Sequence, residues 1–215
     1  MISVSEKSIV VLISGNGSNL QALIDAQSQR LFNGKIKAVI SNKPNVYGLE
    51  RAEMANIDAV CVDHTEFNDK AGFEAELVKT IDAYQPDLVI LAGFMRILSS
   101  DLVQHYLGKI INIHPSLLPK YKGLHTHRQV LENGDKEHGT SVHFVTAELD
   151  GGPIIAQRRV KVDENDTEQT LVEKIQQQEH QLYPEVVAWF CAEKLTFKLS
   201  EDSAAARAVF DGKVL

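Results

Sequence analysis

An asparagine and a histidine two residues apart, Asn112 and His114, form the clearest candidate in the sequence for proton-transfer chemistry. Asn112 lies in the apolar run Ile110–Ile113, and His114 directly follows that run. Side chains two residues apart point to the same side of an extended chain. An imidazole can move a proton while a carboxamide donates to a developing oxyanion, which suits acyl-type chemistry. Asp150, followed by two glycines, is the candidate carboxylate to hold the imidazole and raise its pKa. From spacing alone, a structural hydrogen-bonding pair is the simpler interpretation.

A glycine-bearing loop, Ser14–Asn19, follows the apolar run Ile9–Ile13 and precedes a helical pattern. Backbone N–H groups at such a helix start can bind a phosphate. The loop does not match a dinucleotide fingerprint, because Leu20 stands at the third glycine position and no acidic residue ends the second strand, where Ser41 and Asn42 stand. The Gly-Lys-Ser/Thr of a Walker A loop is also absent. A monophosphate site and a plain strand-to-helix turn are both open interpretations.

Histidines are concentrated in one part of the chain, and this raises the question of a metal site. Five of the eight lie at His114, His125, His127, His138 and His143. His125 and His127 could supply two ligands, but no H-E-x-x-H motif or cysteine pair accompanies them, so we expect no metal. The two cysteines, Cys61 and Cys191, are expected to be small buried apolar residues.

Composition narrows the class of protein. The chain has 215 residues, 44% of them apolar, and a net charge of -7. This acidic balance argues against a nucleic-acid partner, which requires a basic face. The first residues lack the pattern of a secretory signal, and no apolar run approaches the roughly 20 residues of a membrane span. We therefore expect a cytoplasmic protein with no membrane partner.

Short apolar runs alternate with helical patterns through the first half of the chain. The runs are Ile9–Ile13, Ile36–Ile40, Ala59–Val62, Leu88–Ala92 and Ile110–Ile113. The helical patterns are Asn19–Leu31, Tyr47–Ala55, Glu74–Tyr84 and Ser99–Tyr106. Strands that are apolar at nearly every position are typical of a parallel sheet covered on both faces. The pattern predicts an α/β fold in a single domain.

The pattern changes after residue 113. A loop at Pro115–Gly123 precedes a short helix at Thr126–Glu132, two strands at Thr140–Val145 and Pro153–Val162, and a long helix at Thr167–Ala192. Asp166 is the expected N-cap of that helix, and Pro184 the expected kink or break. Residues 200–215 are rich in alanine and weakly patterned.

Six motifs together resemble a known family. They are SGNGSN at 14–19, LAGFMRIL at 91–98, NIHPSLLPKYKG at 112–123, LHTH at 124–127, HGTSVHFV at 138–145 and ELDGGP at 148–153. In this order they are similar to the folate-dependent formyltransferase family, and SGNGSN with the short chain points to the branch acting on glycinamide ribonucleotide. The resemblance spans about residues 8–192.

The resemblance implies a Rossmann-like formyltransferase fold in one domain, 1–215. One mixed sheet would carry helices on both faces, with its parallel part in the first half of the chain. Residues 8–113 would form the nucleotide-phosphate half, 114–192 the catalytic and folate-binding half, and 193–215 a C-terminal tail. The co-substrate would be 10-formyltetrahydrofolate, used without a metal by a monomer or homodimer.

The resemblance also implies roles for individual residues. The catalytic positions are Asn112, His114 and Asp150. The substrate phosphate and ribose would contact Gly17, Ser18, Asn19, Gln176 and Glu179. The folate would contact Lys70, Met95, Arg96, Ile97, Leu98, Asn112, Thr146 and Asp150. Lys70 stands where we expect an arginine in some relatives, and lysine lacks the planar fork of that side chain.

Three alternatives stay open from sequence. A 10-formyltetrahydrofolate hydrolase and a methionyl-tRNA formyltransferase share the NIHPSLLP and DGGP motifs, but each is expected to carry a further domain. A non-catalytic nucleotide-binding regulator would need the 17–19 loop without Asn112, His114 and Asp150.

Both substrates of the favoured activity are anionic, so we expect a locally positive pocket built from the 17–19 amides and Arg96.

Overall fold

The structure is a computed structural model that describes residues 5–199 and 206–215. The strands are β1 (Lys7–Ile13), β2 (Gly34–Ser41), β3 (Asp58–Cys61), β4 (Leu88–Leu91), β5 (Ile110–His114), β6 (Glu137–Phe144), β7 (Ile154–Lys161), β8 (Leu195–Leu199), β9 (Ala206–Phe210) and β10 (Lys213–Val214). The helices are α1 (Ser18–Ser28), α2 (Tyr47–Met54), α3 (Lys70–Asp82), α4 (Ser100–His105), α5 (Thr126–Glu132) and α6 (Glu168–Cys191), with a 3-10 turn at His64–Glu66.

One mixed sheet of seven strands organises the molecule, in the order β3-β2-β1-β4-β5-β6-β7. Neighbouring strands from β3 to β5 are parallel, whereas β6 pairs antiparallel with both β5 and β7. This confirms the α/β fold with a mixed second half. The strand order reverses between β1 and β4, and open α/β sheets bind ligands beside the carboxyl ends of the strands at such a point.

Two apolar cores lie on opposite faces of this sheet. On β1, Ile9 and Val11 face the core with α1 and α6, and Val10 and Leu12 face the core with α3 and α4. All four side chains are fully buried. The alternation follows from the two-residue period of a strand and explains why the strand is apolar at successive positions.

The long helix α6 differs from expectation at two points. Its N-cap is Thr167, which accepts from the Thr170 N–H, and the expected cap Asp166 instead accepts from the Thr170 hydroxyl. Pro184 does not break the helix. Pro184 and its neighbour Tyr183 are buried, so packing against the sheet holds the helix together across the missing N–H.

Two further expectations need correction, and the tail adds strands that the sequence did not predict. Helix α3 begins at Lys70 rather than Glu74, because Asp69 caps it by accepting from the Gly72 N–H. Cys61 is exposed, since it ends the edge strand β3, whereas Cys191 is buried. The tail forms a second, three-stranded antiparallel sheet from β8, β9 and β10. Residues 200–205 of that tail lie outside the described residues.

In the part of the chain that the structure describes, no helix is long and apolar enough to cross a membrane.

Candidate active site

A cavity of about 490 Å³ opens beside the carboxyl ends of β4 and β5. Asn112, His114 and Asp150, the residues singled out first from the sequence, all line it. Its wall also contains the segment 95–98 and Thr146, as expected. The structure therefore brings the candidate catalytic groups and most of the candidate folate residues to one place.

Asp150 lies directly beside His114. Its Oδ2 is 3.5 Å from the imidazole Nδ1, and both side chains are buried. The same oxygen accepts from the Gly123 N–H at 2.8 Å. The other ring nitrogen of His114, Nε2, donates to the Tyr121 carbonyl at 2.8 Å. The ring is thus fixed through Nε2 by the 115–123 loop, with Nδ1 turned toward the carboxylate.

The ionisation of this pair differs from the expectation for His114. Burial lowers the pKa of His114 more than Asp150 and the Tyr121 carbonyl raise it, so the net direction is down. Burial would raise the pKa of Asp150, but the contact with His143, the Gly123 N–H and the two nearby imidazoles outweigh it and lower that pKa. At neutral pH the site therefore holds an ionised carboxylate beside a largely neutral imidazole.

A second imidazole, His143, completes the site, and the sequence did not single it out as a site residue. Its Nδ1 donates to the Phe144 carbonyl, which leaves Nε2 to accept from the Asn112 amide at 3.2 Å. The same Nε2 is 3.7 Å from Asp150 Oδ1. The Asn112 amide has a second hydrogen that His143 does not use, and Asn112 lines the cavity. His143 therefore orients the candidate oxyanion donor.

The turn that carries Asp150 is held in an unusual conformation. Asp150 itself has a left-handed backbone, with φ 47°. Gly152 packs so closely on β6 that a Cβ there would lie 1.8 Å from the Phe144 carbonyl oxygen. The glycine is required by this close approach, which fixes where Asp150 meets the two imidazoles.

The candidate phosphate loop ends at the N-terminus of α1. Gly17 occupies the N-cap with a left-handed φ of 76° and offers no side-chain acceptor to the first N–H groups of the helix. The amides of Ser18 and Asn19 therefore lack the capping partner that most helices supply. An uncapped helix N-terminus of this kind is suited to bind an anion.

Glu179 links this loop to β5, the strand of the candidate catalytic residues Asn112 and His114. Its carboxylate accepts from the Asn19 amide at 2.9 Å and, at 3.4 Å, from the Thr140 hydroxyl, which also bonds the His114 carbonyl. Burial raises the pKa of Glu179 against these hydrogen bonds. Asn19 Oδ1 is buried and has no hydrogen-bond partner within the described residues. Gln176 lies one turn before Glu179 on α6 and is half-buried.

The candidate folate residues are not all in the cavity wall. Met95 and Ile97 are each 66% exposed and present apolar surface at the cavity. Arg96 also lines it, with its guanidinium 5.2 Å from the centre of the Phe73 ring. Lys70 does not line the cavity, and its ammonium lies 3.7 Å from Glu74 at the start of α3.

The clustered histidines do not form a metal site of recognisable kind. Among residues 5–199 and 206–215, no group of three or more His, Cys, Asp or Glu side chains is placed to hold a metal ion. His127 Nδ1 and His138 Nε2 are instead 2.9 Å apart and share a hydrogen bond. The two rings pack edge to face, and His127 lines the cavity.

His138 should make the fold sensitive to acid. Burial, helped by His127, lowers its pKa to about 4, against about 6.5 when unfolded. Between these values the unfolded chain binds more protons than the folded one, so stability falls as pH drops through that window. We expect His138→Gln to flatten the dependence of Tm on pH between about 6.5 and 4.

Thermal unfolding followed at several pH values measures this effect. The matched control is His105→Gln, at a half-exposed histidine on α4 that pairs with Asp82. The control should keep the pH dependence of the parent protein. An unchanged slope for His138→Gln would show that this imidazole does not govern acid stability.

We compared the chain with protein-family models, with known sequences and with solved structures. A family model described as formyl transferase matches residues 7–187. The chain therefore belongs to the formyl transferase family.

Within that family, its relatives are phosphoribosylglycinamide formyltransferases. It is 56% identical to the one from Escherichia coli, over 91% of this chain and 92% of the relative. It is 43% identical to the one from Haemophilus influenzae, over 97% of this chain and 96% of that relative. A solved phosphoribosylglycinamide formyltransferase from Coxiella burnetii, in complex with CHES, superposes with a TM-score of 0.90 at 48% identity, over 98% of this chain and 96% of that one.

Proposed function

We propose that this chain transfers the formyl group of 10-formyltetrahydrofolate to the amine of glycinamide ribonucleotide, a step of purine biosynthesis. The single observation that carries the proposal is the convergence of Asn112, His114 and Asp150 in the wall of one largely apolar cavity. Its family membership agrees with this chemistry. The cytoplasmic location and the monomeric or homodimeric state expected from sequence stay predictions.

The two substrates would occupy adjoining parts of the site. The pterin would lie against Met95 and Ile97, whose exposed apolar side chains flank the cavity. The phosphate would bind the Ser18 and Asn19 amides, and the ribose hydroxyls the buried carboxylate of Glu179 and the amide of Gln176. Because Glu179 and Thr140 connect the phosphate loop to β5, a bound ribonucleotide would place its amine near the catalytic groups.

The proposed transfer is direct. The substrate amine attacks the formyl carbon, a C–N bond forms, and the carbonyl pair moves to oxygen. The free amide hydrogen of Asn112 and the imidazole of His114 stabilise that oxyanion. The ionised Asp150 accepts the amine proton, directly or through water, and the proton returns to the folate nitrogen as its bond to carbon breaks. No covalent bond to the protein is required.

His114 must rearrange to take this role. Its Nε2 donates to the Tyr121 carbonyl and its Nδ1 faces Asp150, so neither nitrogen is free to meet the oxyanion. Neutral His114 carries its one N–H on Nε2, so it can offer that N–H to the oxyanion only after releasing the Tyr121 carbonyl. We infer that the 115–123 loop, which carries Tyr121, shifts when both substrates bind.

Arg51 offers a test of the phosphate subsite. This α2 side chain donates to the Asn16 carbonyl at 2.9 Å, to its side-chain oxygen at 3.1 Å and to Gln21 at 2.9 Å, and stacks on Tyr47. It thereby fixes the turn before Gly17. We expect Arg51→Ala to raise the KM for glycinamide ribonucleotide about ten-fold, equivalent to roughly 1.4 kcal/mol, with kcat little changed.

Steady-state kinetics with the ribonucleotide varied measures this change. Arg158→Ala is the matched control, because that guanidinium bonds Gln181 and Glu185 away from the phosphate loop. A KM for Arg51→Ala that equals that of the control would contradict a phosphate subsite at Gly17.

Incubation of the purified protein with 10-formyltetrahydrofolate, with and without glycinamide ribonucleotide, tests the function itself. We expect loss of the formyl group only when the ribonucleotide is present. Loss without it would support a hydrolase, and no loss in either case would support a nucleotide-binding regulator. Formylation of methionyl-tRNA in place of the ribonucleotide would support the tRNA enzyme.

A further inference from the structure

A buried serine hydroxyl joins the two candidate substrate subsites. Ser14 follows β1 and begins the phosphate loop, and its Oγ accepts from the Met95 N–H at 2.7 Å. The same hydroxyl donates to the side-chain oxygen of Asn42, which follows β2. Ser14 and Asn42 are 7% and 2% exposed. The contact lies where the strand order reverses, between β1 and β4.

Only a hydroxyl can make both of these contacts. Met95 presents a backbone donor and Asn42 presents an acceptor, so the group between them must accept and donate at once. Asn42 cannot follow a shortened side chain, because its carbonyl accepts from His64 Nδ1 at 2.7 Å and its N–H bonds the Ile13 carbonyl. Loss of the hydroxyl would leave the Met95 N–H and the buried side-chain oxygen of Asn42 without these partners.

The segment that Ser14 holds packs only part of its apolar side chains, since Leu98 contacts the core and Met95 and Ile97 do not. It turns away from β4 at Gly93, whose φ is 78°, and presents Met95 and Ile97 to the surface. At its far end the Ser99 N–H donates to Glu74 at 2.9 Å. The N–H groups of Met95 and Ser99 thus each donate to a side chain, the first to Ser14 beside the phosphate loop and the second to Glu74 on α3.

We propose that Ser14 is a positioning residue that fixes the 95–98 segment against the phosphate loop, so that the folate meets a prearranged surface. The inference rests on the folate subsite of the proposed function. Ser14 touches neither substrate in this account. Its contribution is the placement of the Met95 backbone and of the apolar side chains that follow it.

Kinetics of Ser14→Ala with 10-formyltetrahydrofolate varied test this role. We expect the KM for the folate to rise about ten-fold, while kcat at saturating folate and the KM for the ribonucleotide change much less. Ser8→Ala is the matched control. Ser8 lies at the opposite end of β1, and its hydroxyl donates to the Tyr84 carbonyl at 3.0 Å, so it loses a comparable hydrogen bond far from both subsites.

The outcomes separate a positioning role from a general loss of stability. Equal KM values for Ser14→Ala and Ser8→Ala, or a change confined to the ribonucleotide or to kcat, would overturn the inference. Where Ser14→Ala does not fold, Ser14→Cys serves instead. Its thiol is a weak donor and acceptor, so a smaller rise in the folate KM is expected and an unchanged value contradicts the role.

A further variant separates this inference from the proposed function. Ile97→Asp changes the folate surface itself and should raise the folate KM whatever holds the segment. If Ile97→Asp raises that KM and Ser14→Ala does not, the role of Ser14 fails and the folate subsite stands. If the parent protein consumes no 10-formyltetrahydrofolate, the proposed function fails, and the role of Ser14 fails for the same reason.

Discussion

Replacing Asp150 by asparagine should lower kcat about 10² to 10³-fold, the effect typical of losing one preorganised electrostatic contribution to such a transition state. The substituted amide keeps the shape of the side chain and still accepts from the Gly123 N–H. It loses the charge that faces His114 and His143 at 3.5 and 3.7 Å, and the ability to take a proton from the amine. The KM for the ribonucleotide should change little, since Asp150 lies outside the phosphate loop.

Single-turnover kinetics at saturating substrates measure this loss, with Asp87→Asn as the matched control. Asp87 also accepts from a backbone N–H, that of Ser8 at 2.8 Å, but it lies at the amino end of the sheet. The control should retain its turnover. Near-normal turnover for Asp150→Asn would remove this carboxylate from the mechanism.

Gly152→Ala should impair catalysis almost as severely, through the backbone alone. A Cβ at this position would lie 1.8 Å from the Phe144 carbonyl oxygen, and that oxygen belongs to a buried strand that cannot retreat. The turn would have to shift away from β6, carrying Asp150 from the imidazoles. A displacement of about 1 Å can cost about 100-fold in rate, and overpacking of this kind typically costs about 1–3 kcal/mol of stability.

The adjacent glycine supplies the control. A Cβ at Gly151 would meet only the side chain of Glu148, which is exposed and flexible enough to move. Gly151→Ala should therefore keep both Tm and kcat close to those of the parent. Measurement of Tm and kcat for both variants compares them directly. If Gly152→Ala matches Gly151→Ala, the close packing of this turn does not position Asp150.

The main elements of the fold are predictable because buried strands and helices carry recognisable patterns of apolar residues in the sequence. Strands β1, β2, β4 and β5 lie in the middle of the sheet, and both of their faces need apolar side chains. The tail strands lack this signal. In β8 only Leu195 is buried and Leu199 is 60% exposed, so neither a continuous nor a clean alternating pattern marks the strand. Cys61 misleads for a related reason, because edge position is not visible in four residues.

The candidate catalytic trio is predictable in part from local geometry, since Asn112 and His114 share one strand. The contact between His143 and Asn112 could not be predicted, because it depends on the register of β6 against β5. Strand β6 pairs antiparallel with β5 so that His143 stands opposite Asn112, and Ser141 opposite His114. A slip of one residue would turn His143 to the other face, and the apolar pattern does not determine that register.

Contacts between distant loops are likewise invisible in sequence. Ser14 and Asn42 each read as polar residues that end a strand, and only the strand order brings them to Met95. Lys70 illustrates the converse. The resemblance implies a folate contact for Lys70, which stays a prediction, and the structure places its ammonium 3.7 Å from Glu74 at the start of α3.

The fate of a labelled formyl group distinguishes direct transfer from hydrolysis and from a covalent intermediate. With 10-formyltetrahydrofolate labelled at the formyl carbon and glycinamide ribonucleotide both present, we expect the label to appear in the formylated ribonucleotide in a one-to-one ratio with tetrahydrofolate, with none bound to the protein. Release of the label as formate, or its retention on the protein, would contradict direct transfer at this site.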